Sequence, residues 1–225
     1  MQMPALDGPP ADCPPTDCPP RDCPLCPRLA AFREAARAKY PGWHNAPVAP
    51  FGPEDAGLLI VGLAPGLQGA NRTGRPFTGD YAGDLLYATL KEFGLARGTY
   101  DRRPDDGLEL VDCRISNAVK CVPPENKPTP EEIRICNRFL ADELATLPRI
   151  KVVLALGSIA HDAVLVASGL RKSAAKFGHG ARHELPPGRV LYDSYHCSRY
   201  NTNTGRLTPE MFRDVVGKAA KALRG

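Results

Sequence analysis

The sequence predicts an α/β protein: a three-layer α/β/α sandwich around a central, mostly parallel sheet of four strands. Three observations lead there. Strand-like and helix-like segments alternate from residue 58 onward, the pattern of successive βα units. The run Leu58-Leu59-Ile60-Val61 is apolar without alternation, as in a parallel strand covered on both faces. That strand runs directly into a long loop rich in Gly, Thr and Arg, and an open α/β sheet places its ligand at such a junction.

Taken in order, residues 1–22 are low-complexity, with Asp12-Cys13-Pro14, Asp17-Cys18-Pro19 and Asp22-Cys23-Pro24 repeating among many prolines. This segment is expected to be extended and flexible, with the folded domain spanning 23–225. A helix is expected over 27–39 (PRLAAFREAARAK), stopped by Pro41 and Gly42. Beyond it the patterns read strand 58–62, helix 81–93, strand 113–119, helix 130–146, strand 151–156, helix 158–168, strand 189–195 and helix 208–223. Thr129-Pro130-Glu131-Glu132 and Thr208-Pro209-Glu210 each put a hydroxyl at the N-cap, proline at the first helical position and acid in the first turn. Residues 171–183 carry Arg171, Lys172, Lys176 and Arg182 and no acid. They read as a basic loop, suited to a phosphate backbone or to solvent.

A chain of 225 residues suits one α/β domain and is short for two. The net charge of +4 permits a polyanion partner without requiring one. No apolar run is long enough to span a membrane and the N-terminus lacks a secretory pattern, so a cytoplasmic protein, expected to be monomeric, is the default. Eight cysteines in that setting point to metal or reactive thiols rather than structural disulfides.

Cys23-Pro24-Leu25-Cys26 is a CxxC pair at the start of a predicted helix, Cys121 follows the second strand and Cys136 lies in the next helix. Four thiolates so placed suit Zn²⁺ or an iron–sulfur cluster, while buried free cysteines serve equally as small hydrophobes. The repeat leaves Cys13 and Cys18 as rivals to Cys23, of which only Cys23 makes the two-residue gap. Cys113 and Cys197 read as core residues.

In the loop after the first strand, Gly62 and Gly66 allow a close approach by a base or phosphate. Arg72 and Arg75 suit an anion. Neither GxGxxG nor GxxxxGK[ST] is present, which disfavours a dinucleotide or Walker-type site. A second polar loop, residues 195–208, should face the first across the same crevice, and His196 within it can donate a hydrogen bond to a developing anion. Asn117, at the end of the second strand, could pair with a base edge or cap the strand. Asp80 is the nearest carboxylate in the first loop and also suits the N-cap of the helix beginning at Tyr81.

Together GLAPG (62–66), NRTGRPFTGD (71–80), ISNAVKC (115–121) and HCSRYNTNTGRLT (196–208) resemble the family 5, or type B, uracil-DNA glycosylases. The resemblance runs from about Cys23 to the C-terminus; the N-terminal repeat and Cys197 depart from the pattern. It implies excision of uracil, and in some members of hypoxanthine, xanthine or other damaged bases, from DNA. It also implies a [4Fe–4S] cluster on Cys23, Cys26, Cys121 and Cys136. Gly62, Ala64 and Gly66 would line the base pocket, Phe77 would stack on the flipped base, Asn117 would read its edge and His196 would stabilise the departing anion. Leu63 and Ala64 hold no group that can position water, which passes that task to Asp80. Arg72, Arg75, Arg199 and Arg206 would contact phosphates, with Tyr200 or Arg199 wedged into the gap. The alternative is a binding module using the same crevice without excision.

Overall fold

The computed structural model describes residues 18–225; Cys13 and the rest of residues 1–17 lie outside the described residues. Helix α1 (Pro27–Lys39) precedes β1 (Leu58–Gly62), the single turn α2 (Ala70–Thr73) and α3 (Tyr81–Glu92). A two-residue pair, β2 (Ala96–Arg97) and β3 (Glu109–Leu110), leads to β4 (Cys113–Asn117), α4 (Pro130–Thr146), β5 (Val152–Leu156) and α5 (Ser158–Ala167). The chain closes with β6 (Arg182–Leu185), β7 (Arg189–Ser194), the short α6 (Arg199–Asn203) and α7 (Pro209–Arg224).

The main sheet has the order β4-β1-β5-β7-β6, with the first four strands parallel and β6 antiparallel to β7. All five residues of β1 are buried, because α-helices cover both faces. Alternate side chains feed two cores. Leu58 and Ile60 pack with Leu86, Leu90, Phe212 and Val216 on one side. Leu59 and Val61 pack with Leu140, Leu144, Ala160 and Val164 on the other. In α7 the buried positions 212, 215, 216, 219 and 220 follow the helical repeat, and Thr208 caps it by accepting from the Met211 amide. Thr129 and Glu132 form a reciprocal capping box at the start of α4.

The three-layer parallel architecture is the expected one, with a fifth strand added. Strand β6 arises in the segment read as a basic loop. It is an edge strand whose residues are exposed or half-buried until Leu185, so no apolar run announces it. At the N-terminus, packing begins before residue 23, where the flexible segment was expected to end. Cys18 and Pro19 are buried, the Cys23 amide donates to the Pro20 carbonyl and Arg37 pairs with Asp22. No helix among the described residues is long and apolar enough to cross a membrane.

Candidate active site

The chain enters β4 on one side of β1 and β5 on the other, so the connections diverge at the β1–β5 seam. At the carboxyl ends of these strands lies a cleft of about 680 Å³. It is lined by residues 63–70, Phe77, Asp80, Asn117, Gly157–Ile159, His196, Ser198 and Arg199. The two loops singled out in the sequence therefore do meet.

Gly62, expected to line the pocket, instead lies just behind its lining. It lies in register with Asn117 across the β1–β4 pair. A Cβ at Gly62 would come within 2.5 Å of Asn117 Oδ1 and 2.8 Å of the Phe77 ring, so the bare backbone is what admits both side chains. Phe77 has φ +51° and its carbonyl accepts the Tyr100 hydroxyl at 3.1 Å, which holds the ring under the cleft. The Phe77 and His196 rings lie within 26° of parallel with centroids 5.7 Å apart.

Asp80 caps α3 and also borders the cleft. Oδ1 accepts the Gly83 amide at 3.4 Å as the N-cap of α3. Oδ2 faces Gly69, where a Cβ would approach within 2.4 Å, and borders the cleft. Burial raises the Asp80 pKa above the ordinary carboxylate value, against the opposing pull of the Gly83 and Ala82 amides. The result is a carboxylate more basic than a surface one. His196 stands just past β7. Its carbonyl accepts Asn201 Nδ2 at 2.8 Å, and Ser198 caps α6 immediately behind it. Burial lowers its imidazole to about 4, so the ring is neutral at physiological pH and can donate a hydrogen bond without carrying charge.

Arg72, Arg199, Tyr200 and Arg206 are all exposed, Arg199 of these lining the cleft, and Tyr200 is the most exposed large hydrophobic among the described residues at 72 %. Arg199 rests over the Tyr81 ring and Arg206 over Tyr195. Arg75 is a correction. Instead of reaching for phosphate it is buried, bidentate to Asp106 at 2.8 and 2.9 Å, and enclosed by Phe51, Tyr87 and Tyr100. Its partner lies 31 residues away, outside any local pattern. Sequence reasoning also missed the β5–α5 turn, Gly157-Ser158-Ile159, which lines the cleft. The signal available was a third apolar strand running into a Gly-Ser pair at a helix start.

The second site is a pocket between α1 and α4. Cys23, Cys26, Cys121 and Cys136 line it together with Leu25, Leu29, Ile135 and Phe139. Cys18, although buried, does not line it, so the register with Cys23 is the one brought to the pocket. Cys113 and Cys197 are buried elsewhere, as core residues. Burial pushes the thiols of Cys121 and Cys136 up to about 12, so they become thiolates only with a bound cation. The donors are partly in place: Arg33 Nη1 reaches Cys121 Sγ at 3.6 Å and the Lys120 amide reaches Cys136 Sγ at 3.3 Å. Arg33 Nε is buried with no partner, which suits an anionic group in the pocket. No three of these sulfurs lie mutually within 4.8 Å, whereas four thiolates on one zinc would sit ~3.8 Å apart. Four thiols beside a buried guanidinium make a donor set suited to a soft, anionic metal group.

A family model described as the uracil DNA glycosylase superfamily matches residues 49–220. The chain belongs to this superfamily. It is 50 % identical over 203 residues to a type-5 uracil-DNA glycosylase of Thermus thermophilus, covering 88 % of this chain and 92 % of that one. A type-5 uracil-DNA glycosylase of Pyrobaculum aerophilum is 41 % identical over 199 residues, 87 % and 86 % of the two chains. A type-4 uracil-DNA glycosylase of the same organism matches at 37 % over 123 residues, only 54 % of each. The likeness to uracil-DNA glycosylases is thus of the type-5 kind, and it extends well beyond the segment shared with type 4.

Proposed function

We propose that this chain is a DNA-repair glycosylase that flips uracil out of DNA and hydrolyses its N-glycosidic bond. The observation that carries this reading is the convergence of a neutral imidazole, a basic carboxylate and an amide around one cleft floored by Phe77. C1′ is inaccessible within the base stack, so the nucleotide has to leave it. The flipped base stacks on Phe77, Asn117 pairs with its polar edge and Ala64 and Gly66 allow the close approach. Bond cleavage leaves an anionic base and an oxocarbenium-like sugar. His196 Nε2–H or Nδ1–H stabilises the first, and Asp80 Oδ2 stabilises the second and orients the attacking water. Arg72, Arg199 and Arg206 bind phosphates and Tyr200 fills the vacated stack. Treating a uracil-containing oligonucleotide with the protein and then alkali decides the matter: scission at uracil supports excision, and a shifted but uncut band supports a binding module.

Asp80→Asn separates catalysis from capping, because asparagine caps helices as well as aspartate does. Single-turnover excision should slow by about 10²-fold with the melting temperature nearly unchanged. Unaltered excision would remove Asp80 from the mechanism.

In the cysteine pocket, Cys23, Cys26, Cys121 and Cys136 hold a [4Fe–4S] cluster in this reading, with Arg33 donating to Cys121. The group supplies a cross-link between α1, the β4 end and α4 rather than a reactive centre. Purified protein should be yellow-brown with broad absorbance near ~400 nm and four iron atoms per chain; colourless protein with stoichiometric zinc would overturn this assignment.

A further inference from the structure

Away from both sites, three side chains from separate elements converge where the β6–β7 hairpin meets α5. They are His161 of α5, His183 of β6 and Asp193 of β7, and their donor atoms all lie within 4.8 Å of one another. His161 and Asp193 are fully buried, and His183 keeps 17 % of its side chain exposed. Asp193 Oδ1 is 2.8 Å from His161 Nδ1, and Oδ2 is 3.1 Å from His183 Nε2. None of the three lines the cleft or the cysteine pocket.

The surroundings of His161 orient it as a ligand. Its Nε2 faces the Ala175 carbonyl at 3.1 Å and its Nδ1 faces the Asp193 carboxylate at 2.8 Å. A ring that donates its N–H from Nε2 to that carbonyl turns the Nδ1 lone pair toward the carboxylate, and a cation between the two satisfies both. Metal-bound histidines are oriented in this way, by a backbone carbonyl on the far nitrogen. Asp193 is oriented likewise, its Oδ2 accepting the Gly178 amide at 3.2 Å.

We propose that His161 Nδ1, His183 Nε2 and the Asp193 carboxylate form a binding site for a divalent transition ion of the zinc type. Two imidazoles and a carboxylate are the donors such ions take, with the fourth position left to water on the partly exposed His183 side. Tetrahedral bonds of about 2.0–2.1 Å space the donors ~3.3 Å apart, so the two contacts have to open by about half an ångström or less. The ion would tie α5, the 175–181 segment and the hairpin together. That junction reaches the active centre: Asp193 lies three residues before His196, and His179 of the same segment accepts the Tyr195 amide at 3.1 Å.

The test uses chelator-washed protein with its native cofactor content, dialysed against zinc and analysed by metal content and zinc-edge X-ray absorption. One tightly held zinc per chain is expected, with an N/O shell at about 2.0–2.1 Å and no sulfur shell at about 2.3 Å. Zinc should also raise the melting temperature by ~5 °C at saturating concentration. His183→Asn, at the partly exposed position, should weaken zinc binding at least about tenfold while leaving iron content unchanged. Substoichiometric zinc, a sulfur-only shell, or equal binding by His183→Asn would overturn the site. These readouts do not involve uracil excision, so failure here and failure of the glycosylase reading are distinguishable.

Discussion

His196→Ala is expected to cut uracil excision by roughly 10²–10³-fold, the loss that follows removal of one preorganised donor to a developing anion. The effect should fall on kcat rather than on DNA affinity, because the interaction is made only as the base takes on charge. The surroundings explain why a neutral ring suffices. Burial lowers the imidazole to about 4, so its hydrogen bond is given by a neutral ring at no cost in a buried cation. The same shift has a thermodynamic consequence of definite sign. In the unfolded chain this histidine takes up a proton near 6.5, in the folded chain only near 4, so between those values the unfolded state binds more protons and stability falls as the pH is lowered. His196→Ala should therefore flatten the acid side of the stability profile between about pH 6.5 and 4 while abolishing most of the activity. Chemical denaturation at pH 7 and pH 5 measures the first effect and single-turnover excision the second. Near-normal turnover would refute the role assigned to His196.

Asp106→Ala should be strongly destabilising, at about 3–5 kcal/mol, or some 6–20 °C in melting temperature for a chain of this size. The carboxylate is the buried partner of Arg75, and its loss strands a guanidinium inside a cage of Phe51, Tyr87 and Tyr100. Burial by itself would raise the Asp106 pKa; the hydrogen bonds from Arg75 and from the amides of Asp101 and Leu108 outweigh it and hold the group well below the usual carboxylate range. A depressed carboxylate contributes stability that is present above its ordinary value of 3.8 and is lost as the pH falls below it. Replacing both partners, as in Arg75→Met with Asp106→Leu, should recover most of the loss, since the pair's cost lies in leaving one charge unmatched. DNA affinity should be the same in that double variant as in the parent. Arg199→Ala, on the exposed rim, should instead leave the melting temperature in place and reduce the salt dependence of DNA binding by about one charge. A double variant that binds DNA weakly would return Arg75 to the interface.

These two residues also mark the limit of what the chain reveals on reading. Arg75 and Arg72 look alike in the sequence, both in a glycine-rich loop and both suited to an anion. Only the fold brings Asp106 beneath one of them, 31 residues on, and leaves the other in solvent. The positions of Asn117, Asp80 and His196 at the cleft were legible because each sits at or beside the end of a strand or helix whose periodicity and caps are local properties, whereas Phe77, between α2 and α3, was reached only through the family resemblance. The Gly157-Ser158-Ile159 lining was not, because a Gly-Ser pair at a helix start is common and acquires meaning only opposite His196.

By itself, the sequence determined the alternation of strands and helices, the all-apolar β1, the capped starts of α4 and α7, and the two loops that meet over the cleft. Nearest-neighbour sterics, backbone capping and burial periodicity act within a few residues, so one dimension suffices to read them. The tertiary structure alone decided that β6 joins the sheet as an antiparallel edge, that Cys18 and Pro19 pack against the body, that Arg75 is structural and that His161, His183 and Asp193 share one buried junction. Each of these is a match between groups far apart in the chain, settled by which charge or donor is buried opposite which, and desolvation is a property of the assembled interior rather than of any segment.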